Sequence, residues 1–91
     1  MKATDKECEI FRKFTTLKAK HPGSVILLRD CGVYWACFDD AKKVAHVLNT
    51  TLITKRRTEF EMEMTTVSVY LFKRSLRKLE QAGIKVVVYD E

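Results

Sequence analysis

Nowhere in the 91 residues is there an apolar run approaching the roughly 20 needed to cross a bilayer. Met1-Lys2 is followed by Ala3-Thr4-Asp5-Lys6-Glu7, which is not the apolar segment of a secretory signal. The expectation is a soluble protein, made in the cytoplasm and staying there, with no membrane partner. Three glycines fall in no G-x-G-x-x-G or G-x-x-x-x-G-K-[ST] pattern, and no G-x-S-x-G is present. A phosphate-cradling loop and a hydrolase elbow are thereby excluded, and no enzymatic activity is expected. Cys8, Cys31 and Cys37 are odd in number and form no C-x-x-C pair, while His21 and His46 are distant from them in sequence. A disulfide framework, a zinc site and any cofactor are therefore not expected, and the three thiols read as reduced and packed. His46 falls at a polar helix position and His21 beside Pro22, so both read as solvated. Asp39-Asp40 opens a helix, where adjacent acids serve capping and the helix dipole.

What the chain does have is a globular balance. Hydrophobic residues make up 46% and charged residues 32%, with nine aromatics to seed one core (Trp 1, Tyr 3, Phe 5). The length suits one domain over residues 1–91. Seventeen Lys and Arg against twelve Asp and Glu leave a net charge of +5, a bias towards polyanions.

Periodicity orders the elements. Thr4-Asp5-Lys6-Glu7 has the form of a capping box, and Ile10, Phe14 and Leu17, joined by Phe11, recur at helical spacing up to His21-Pro22-Gly23. Val25–Leu28 is a short apolar run that reads as a buried strand. Arg29-Asp30-Cys31-Gly32 is a turn, and Val33–Phe38 pairs back as a hairpin. Ala41, Val44, Ala45 and Leu48 mark a second helix closed by Asn49. Thr51–Thr54 is a third strand and Lys55-Arg56-Arg57 a basic turn. Phe60, Met62 and Met64 alternate with Glu59, Glu61 and Glu63, giving a strand with an acidic outer face. Thr66 or Ser68 caps a last helix with the stripe Val69, Phe72, Leu76 and Leu79, ended by Gly83, and Ile84–Tyr89 is the final strand. The order α-β-β-α-β-β-α-β predicts an α/β (α+β-like) fold, a mixed sheet of about five strands with three packed helices.

Basic residues are the leading candidates for binding. Lys55, Arg56 and Arg57 sit where side chains reach a ligand. Lys73, Arg74, Arg77 and Lys78 form one stripe on the last helix, a pattern that matches phosphates, since backbone contacts are mainly electrostatic. Solvated polar faces are the plain alternative for both. Trp35 shares a strand face with Val33 and Cys37, while Tyr34, Ala36 and Phe38 take the other. Both faces are apolar, so the strand reads as central, with Trp35 either packing or contacting a partner.

Leu17-Lys18-Ala19-Lys20-His21-Pro22, an apolar strand, and then Cys31-Gly32-Val33-Tyr34-Trp35-Ala36-Cys37-Phe38-Asp39-Asp40-Ala41 resemble the start of MutS-type mismatch repair proteins. There the pattern runs L-K-x-x-H/Y-P, an apolar strand, G-D-F-Y-E-L-F and x-D-D-A. The end, with Leu76, Lys78, Leu79, Ala82-Gly83, Lys85-Val86 and Asp90-Glu91, is similar to the family's Y-L-x-K-L-x-x-x-G-x-K-V-A-I-C-E-Q. The resemblance runs from about Phe11 to Glu91. It implies an α/β domain that touches DNA from the minor-groove side, with the phenylalanine of a Phe-x-Glu motif wedged beside the mismatch and the glutamate bonded to it. Those two positions are Val33 and Trp35 here, so both roles are lost. The family's arginine after its third strand falls on Lys55. The family's M-A-G-I-P-Y-H falls on Met64-Thr65-Thr66-Val67-Ser68-Val69-Tyr70, without the glycine, proline and histidine. The expectation is a DNA-binding module without mismatch specificity, of low, salt-sensitive affinity, with other repair proteins as further partners. The alternatives are a protein-interaction module that keeps the fold, or a fragment of a larger MutS-like ATPase.

Overall fold

The computed structural model describes residues 2–30 and 32–90. Met1, Cys31 and Glu91 lie outside it, and with them the expectations for the Cys31 thiol and the final residue. The elements run α1 (Asp5–Lys20), β1 (Val25–Asp30), β2 (Val33–Cys37), α2 (Phe38–Leu48), β3 (Ile53–Arg56), β4 (Glu61–Ser68), a 3-10 turn (Val69–Leu71), α3 (Phe72–Gln81) and β5 (Val86–Asp90). The sheet order is β3-β4-β2-β1-β5, with β5 parallel to β1 and all other pairs antiparallel. This is the α+β arrangement of three helices and a five-stranded mixed sheet that the periodicity predicts.

Alternation along the strands divides the core into two layers. Ile26, Leu28, Cys37, Met62 and Met64 face α1 and meet Ile10 and Phe14. Val25, Leu27, Tyr34, Ala36 and Val67 face the other way and meet Val44 of α2 and Leu79 of α3. Covered on both sides, β1 reads Val-Ile-Leu-Leu without interruption, all four residues buried. Edge strands β3 and β5 are mostly exposed. The capping box at α1 forms as the sequence predicts: Glu7 N donates to Thr4 Oγ1 at 3.1 Å, and Thr4 N to Glu7 Oε1 at 2.9 Å.

Several bounds shift, each for a physical reason. The third strand begins at Ile53 rather than Thr51, because the Thr51 carbonyl accepts from the Thr65 hydroxyl at 2.8 Å instead of joining a ladder. The last strand begins at Val86 rather than Ile84, whose amide goes to the α3 carbonyl of Leu79 at 3.0 Å. Neither Thr66 nor Ser68 caps α3: Thr66 stays in β4 opposite Trp35, and Ser68 caps the 3-10 turn before the helix, accepting from Tyr70 N at 3.2 Å. Of the expected acidic outer face of β4, Glu61 stays exposed, whereas Glu63 is half-buried and meets Lys42 of α2 at 3.3 Å. Phe38 leaves β2 for α2 with no loop between, and takes a left-handed backbone, φ 59°, to do so. That conformation costs a non-glycine residue about 1–2 kcal/mol, offset here by packing of its ring near Phe11 (5.7 Å) and Phe14 (5.9 Å).

Asp39-Asp40 does not cap α2. The N-cap is Cys37, without a side-chain bond. Asp39 is exposed beside Lys42, whereas Asp40 is buried and bridges three segments. Its Oδ1 accepts from Lys18 Nζ at 2.8 Å and its Oδ2 from the Ile26 amide at 3.1 Å. Lys18 Nζ also donates to the Ser24 carbonyl at 2.6 Å. The β1–β2 ladder ends at Leu28–Trp35 while β2 stays paired with β4 to Cys37, and the carboxylate supplies the acceptor that the Ile26 amide needs. Burial, with the Asp40 charge adding to it, pushes the Cys37 thiol up to about 12, so it is a packing group and not a nucleophile.

Removing that acceptor should be costly. Asp40→Ala orphans a core amide and leaves Lys18 without its anion, so urea unfolding should show a loss of about 3 kcal/mol, with Tm falling by about 12–24 °C. Asp40→Asn keeps an acceptor for Ile26 and should cost clearly less; equal losses would show that the amide bond is not what matters.

Candidate nucleic-acid interface

Helix α3 buries Ser75 and Leu79, with Phe72 and Leu76 half-buried beside them. That spacing places Lys73, Arg74, Arg77 and Lys78 on the opposite side, and all four are exposed. Among the described residues none of the four meets a carboxylate. Elsewhere several cations are matched, as with Lys6 on Asp30, Lys13 on Glu9, Lys18 on Asp40, Arg29 on Asp90 and Lys42 on Glu63. The first turn of α3 contains no acid and its N-cap, Leu71, makes no side-chain bond. Two cations, Lys73 and Arg74, therefore stand at the positive end of the helix dipole, the unfavourable end for them. The stripe predicted from the sequence is thus one continuous, unneutralised basic surface.

The triple Lys55-Arg56-Arg57 is not a basic turn. Lys55 and Arg56 belong to β3, and strand alternation sends them to opposite faces. Lys55 lies opposite Met62 on the α1 side, half-buried. Arg56 lies opposite Glu61 and reaches it at 3.8 Å. Only Arg57 enters the turn, and its guanidinium grips Glu7 at two points, Nε to Oε1 at 2.9 Å and Nη2 to Oε2 at 2.8 Å. That bidentate pair ties the β3–β4 turn to the start of α1 and takes Arg57 away from any ligand.

Val33 and Trp35 point to the α1 side of the sheet. Val33 lies opposite Ser68, and Trp35 sits between Leu28 and Thr66. The indole is half-buried against the α1-side core, and its N–H, the ring's one polar atom, donates to the Asp30 carbonyl at 3.0 Å. This is the arrangement of a packing residue.

With three helices on a β3-β4-β2-β1-β5 sheet, the chain can be set beside known proteins. A domain model described as MutS domain I matches residues 9–91. The chain belongs to the MutS domain I family. It is 33% identical over 82 residues to a DNA mismatch repair protein MutS of Thermotoga neapolitana, covering 90% of this chain and 10% of that one. Similar proteins of the same name are found in Myxococcus xanthus, 27% identical with 90% and 9% covered, and in Thermotoga maritima, 32% identical with 90% and 10% covered. The chain thus spans about a tenth of the length of these relatives.

Within this MutS domain I, the pair expected to replace the Phe-x-Glu motif lies at the β2 end nearest the β1–β2 turn, next to the end of β4. Two features there escaped the sequence reading. Tyr34, on the other face, stacks on Phe72 at 4.1 Å, with the Arg29 guanidinium 6.0 Å from its ring centre, so this end of β2 is bonded to the start of α3. Tyr70 and Leu71, on the 3-10 turn, are exposed. Cross-strand register, which a single chain's periodicity does not reveal, is what brings these groups together. No group of three or more metal-ligating side chains converges among the described residues, and none of their helices is long and apolar enough to cross a membrane.

The Arg57 grip and the Thr4 amide hold the Glu7 carboxyl down at about 2, from an ordinary 4.5. Because the folded value is the lower one, the stabilisation is complete above about pH 4.5 and is lost as pH falls towards 2. Urea midpoints measured across that window should fall less steeply for Glu7→Gln than for the parent chain. Parallel curves would mean that Arg57 and Glu7 are not coupled in solution.

Proposed function

We propose that this chain is a DNA-binding module on the MutS domain I fold, without mismatch specificity. Residues 1–91 would act as one non-enzymatic unit in the cytoplasm. The observation that carries the reading is the face of α3, where Lys73, Arg74, Arg77 and Lys78 are all exposed and unmatched by acid. Four cations on one helix face suit contacts to a phosphate backbone, which supply affinity without sequence information. Family membership supports it, since the matched relatives are named DNA mismatch repair proteins. Lys55 and Arg56 are secondary contacts in this reading, Arg57 has a structural role, and other repair proteins are further partners.

Loss of mismatch reading follows from Val33 and Trp35. Valine offers no flat surface to a base and cannot offset the few kcal/mol of unstacking a step. The indole is held on Asp30 and presents no acid.

Two measurements test this. Duplex affinity should fall with salt at a log–log slope of about −3 to −4.5, for roughly three to five phosphates. Arg74→Ala with Arg77→Ala should flatten the slope by about 1.8; a slope that does not move removes α3 from the interface. In competition, homoduplex and single-mismatch duplex should bind within about threefold, or about 0.65 kcal/mol. A tenfold preference for the mismatch would overturn the loss of specificity. Absence of any DNA binding would favour a protein-interaction module.

A further inference from the structure

Of the three tyrosines, Tyr70 is the one that packs on nothing. It is 94% exposed, where Tyr34 is 6% and Tyr89 39%. A tyrosine normally buries 150–250 Å² of surface, roughly, so a ring left wholly in water forgoes that gain. A single exposed aromatic is unremarkable alone; the setting of this one is what distinguishes it. The next residue, Leu71, is also 53% exposed, giving an apolar ledge. Lys73 and Arg74 follow within the first turn of α3 and Arg77 one turn later, all exposed and without acidic partners among the described residues.

The backbone beneath the ring is fixed. Tyr70 N donates to Ser68 Oγ at 3.2 Å, and the Phe72 amide closes the 3-10 turn onto the Val69 carbonyl. On the next residue, the Phe72 ring is clamped on Tyr34 at 4.1 Å. The ring is thus carried on a held turn between a central strand and a helix. It also lies two residues beyond Ser68, the cross-strand partner of Val33. An aromatic is missing at Val33, and another stands out in water at the same end of the sheet.

We propose that Tyr70 is a stacking platform for an unpaired base of single-stranded DNA, with Lys73, Arg74 and Arg77 holding the flanking phosphates. The proposal rests on the DNA-binding reading of α3 and adds the class of DNA that the site takes. In a duplex both faces of a base are occupied by its neighbours, so a protein ring gains a face only by unstacking or extruding the base. The two motif positions near Tyr70 do not meet that cost, since Val33 is aliphatic and Trp35 is held down on Asp30. A single strand offers free base faces without that penalty. Stacking on one ring is tolerant of base identity, and the three cations read no base edges, so the site discriminates strandedness rather than sequence.

The test uses the full chain and fluorescence anisotropy with a labelled 20-nucleotide oligo(dT) and a labelled 20-base-pair duplex. The single strand should bind tighter, by about fivefold or more. Tyr70→Ala should lose about tenfold on oligo(dT), with the salt slope and duplex affinity unchanged, and Tyr70→Phe should bind as the parent does. The ring makes no packing contact, so the urea midpoint of Tyr70→Ala should match the parent's, which separates loss of stacking from loss of fold. Unchanged oligo(dT) affinity in Tyr70→Ala, while Arg74→Ala with Arg77→Ala weakens binding, would overturn the stacking platform and leave the DNA-binding reading standing. Failure to bind either probe would overturn both. Equal competition by poly-glutamate and by unlabelled oligo(dT) would overturn the platform in favour of a general polyanion surface.

Discussion

The buried Asp40 carboxylate joins three segments, α1, β1 and α2, through one group. It accepts from the β1 backbone at Ile26 and from Lys18 near the end of α1, while belonging itself to the first turn of α2. Helices on opposite faces of the sheet are thereby fastened to one another through a single group at the sheet's end. The bond is needed because the β1–β2 ladder ends at Leu28–Trp35, while β2 stays paired with β4 to Cys37, so the Ile26 amide takes its acceptor from the carboxylate. A buried carboxylate is tolerable only when paired and bonded, and here both of its oxygens are used. The early end of that ladder, the burial of the acid and the position of Lys18 are consequences of one another.

A second constraint sorts the charges. On α1, β1 and α2 most cations meet acids, several across large sequence separations, such as Arg57 with Glu7 and Arg29 with Asp90. These pairs tie elements together and spend charge that would otherwise face a polyanion. The net +5 is therefore not spread evenly. Four of the unmatched cations share one face of α3, where even the helix dipole opposes the first two. A helix whose charge serves its own stability would put acids there.

Element order was legible because it depends on local periodicity and caps. The Thr4–Glu7 box, the Ile10–Phe14 stripe, Asn49 in its left-handed cap and Gly83 after α3 are all decided within a few residues. The parts that were not legible depend on distant partners. Asp40 obeys the local rule for a helix start and yet serves a strand 14 residues away. Arg57 follows two other cations in sequence, and only the fold brings it to a carboxylate 50 residues back. Apolar spacing on the last helix told which side chains go inside; it does not tell which aromatic stays outside.

Trp35, at the position where the resemblance would put a glutamate, is tied into the packing of the sheet. Residue 35 lies on a central strand between Leu28 and Thr66, with Tyr89 beyond Leu28 in the same row. A carboxylate in this row would need solvent or a donor, whereas the indole fills it and satisfies its one donor on the Asp30 carbonyl. Asp30 is in turn held to α1 by Lys6 at 3.2 Å. Trp35 has become part of the network that seats the β1–β2 turn on α1. Putting the acid back would remove a half-buried ring and uncouple that turn, so its effects on binding and on folding would arrive together. Residue 35 is thus a half-buried packing position whose ring and N–H are both engaged within the fold.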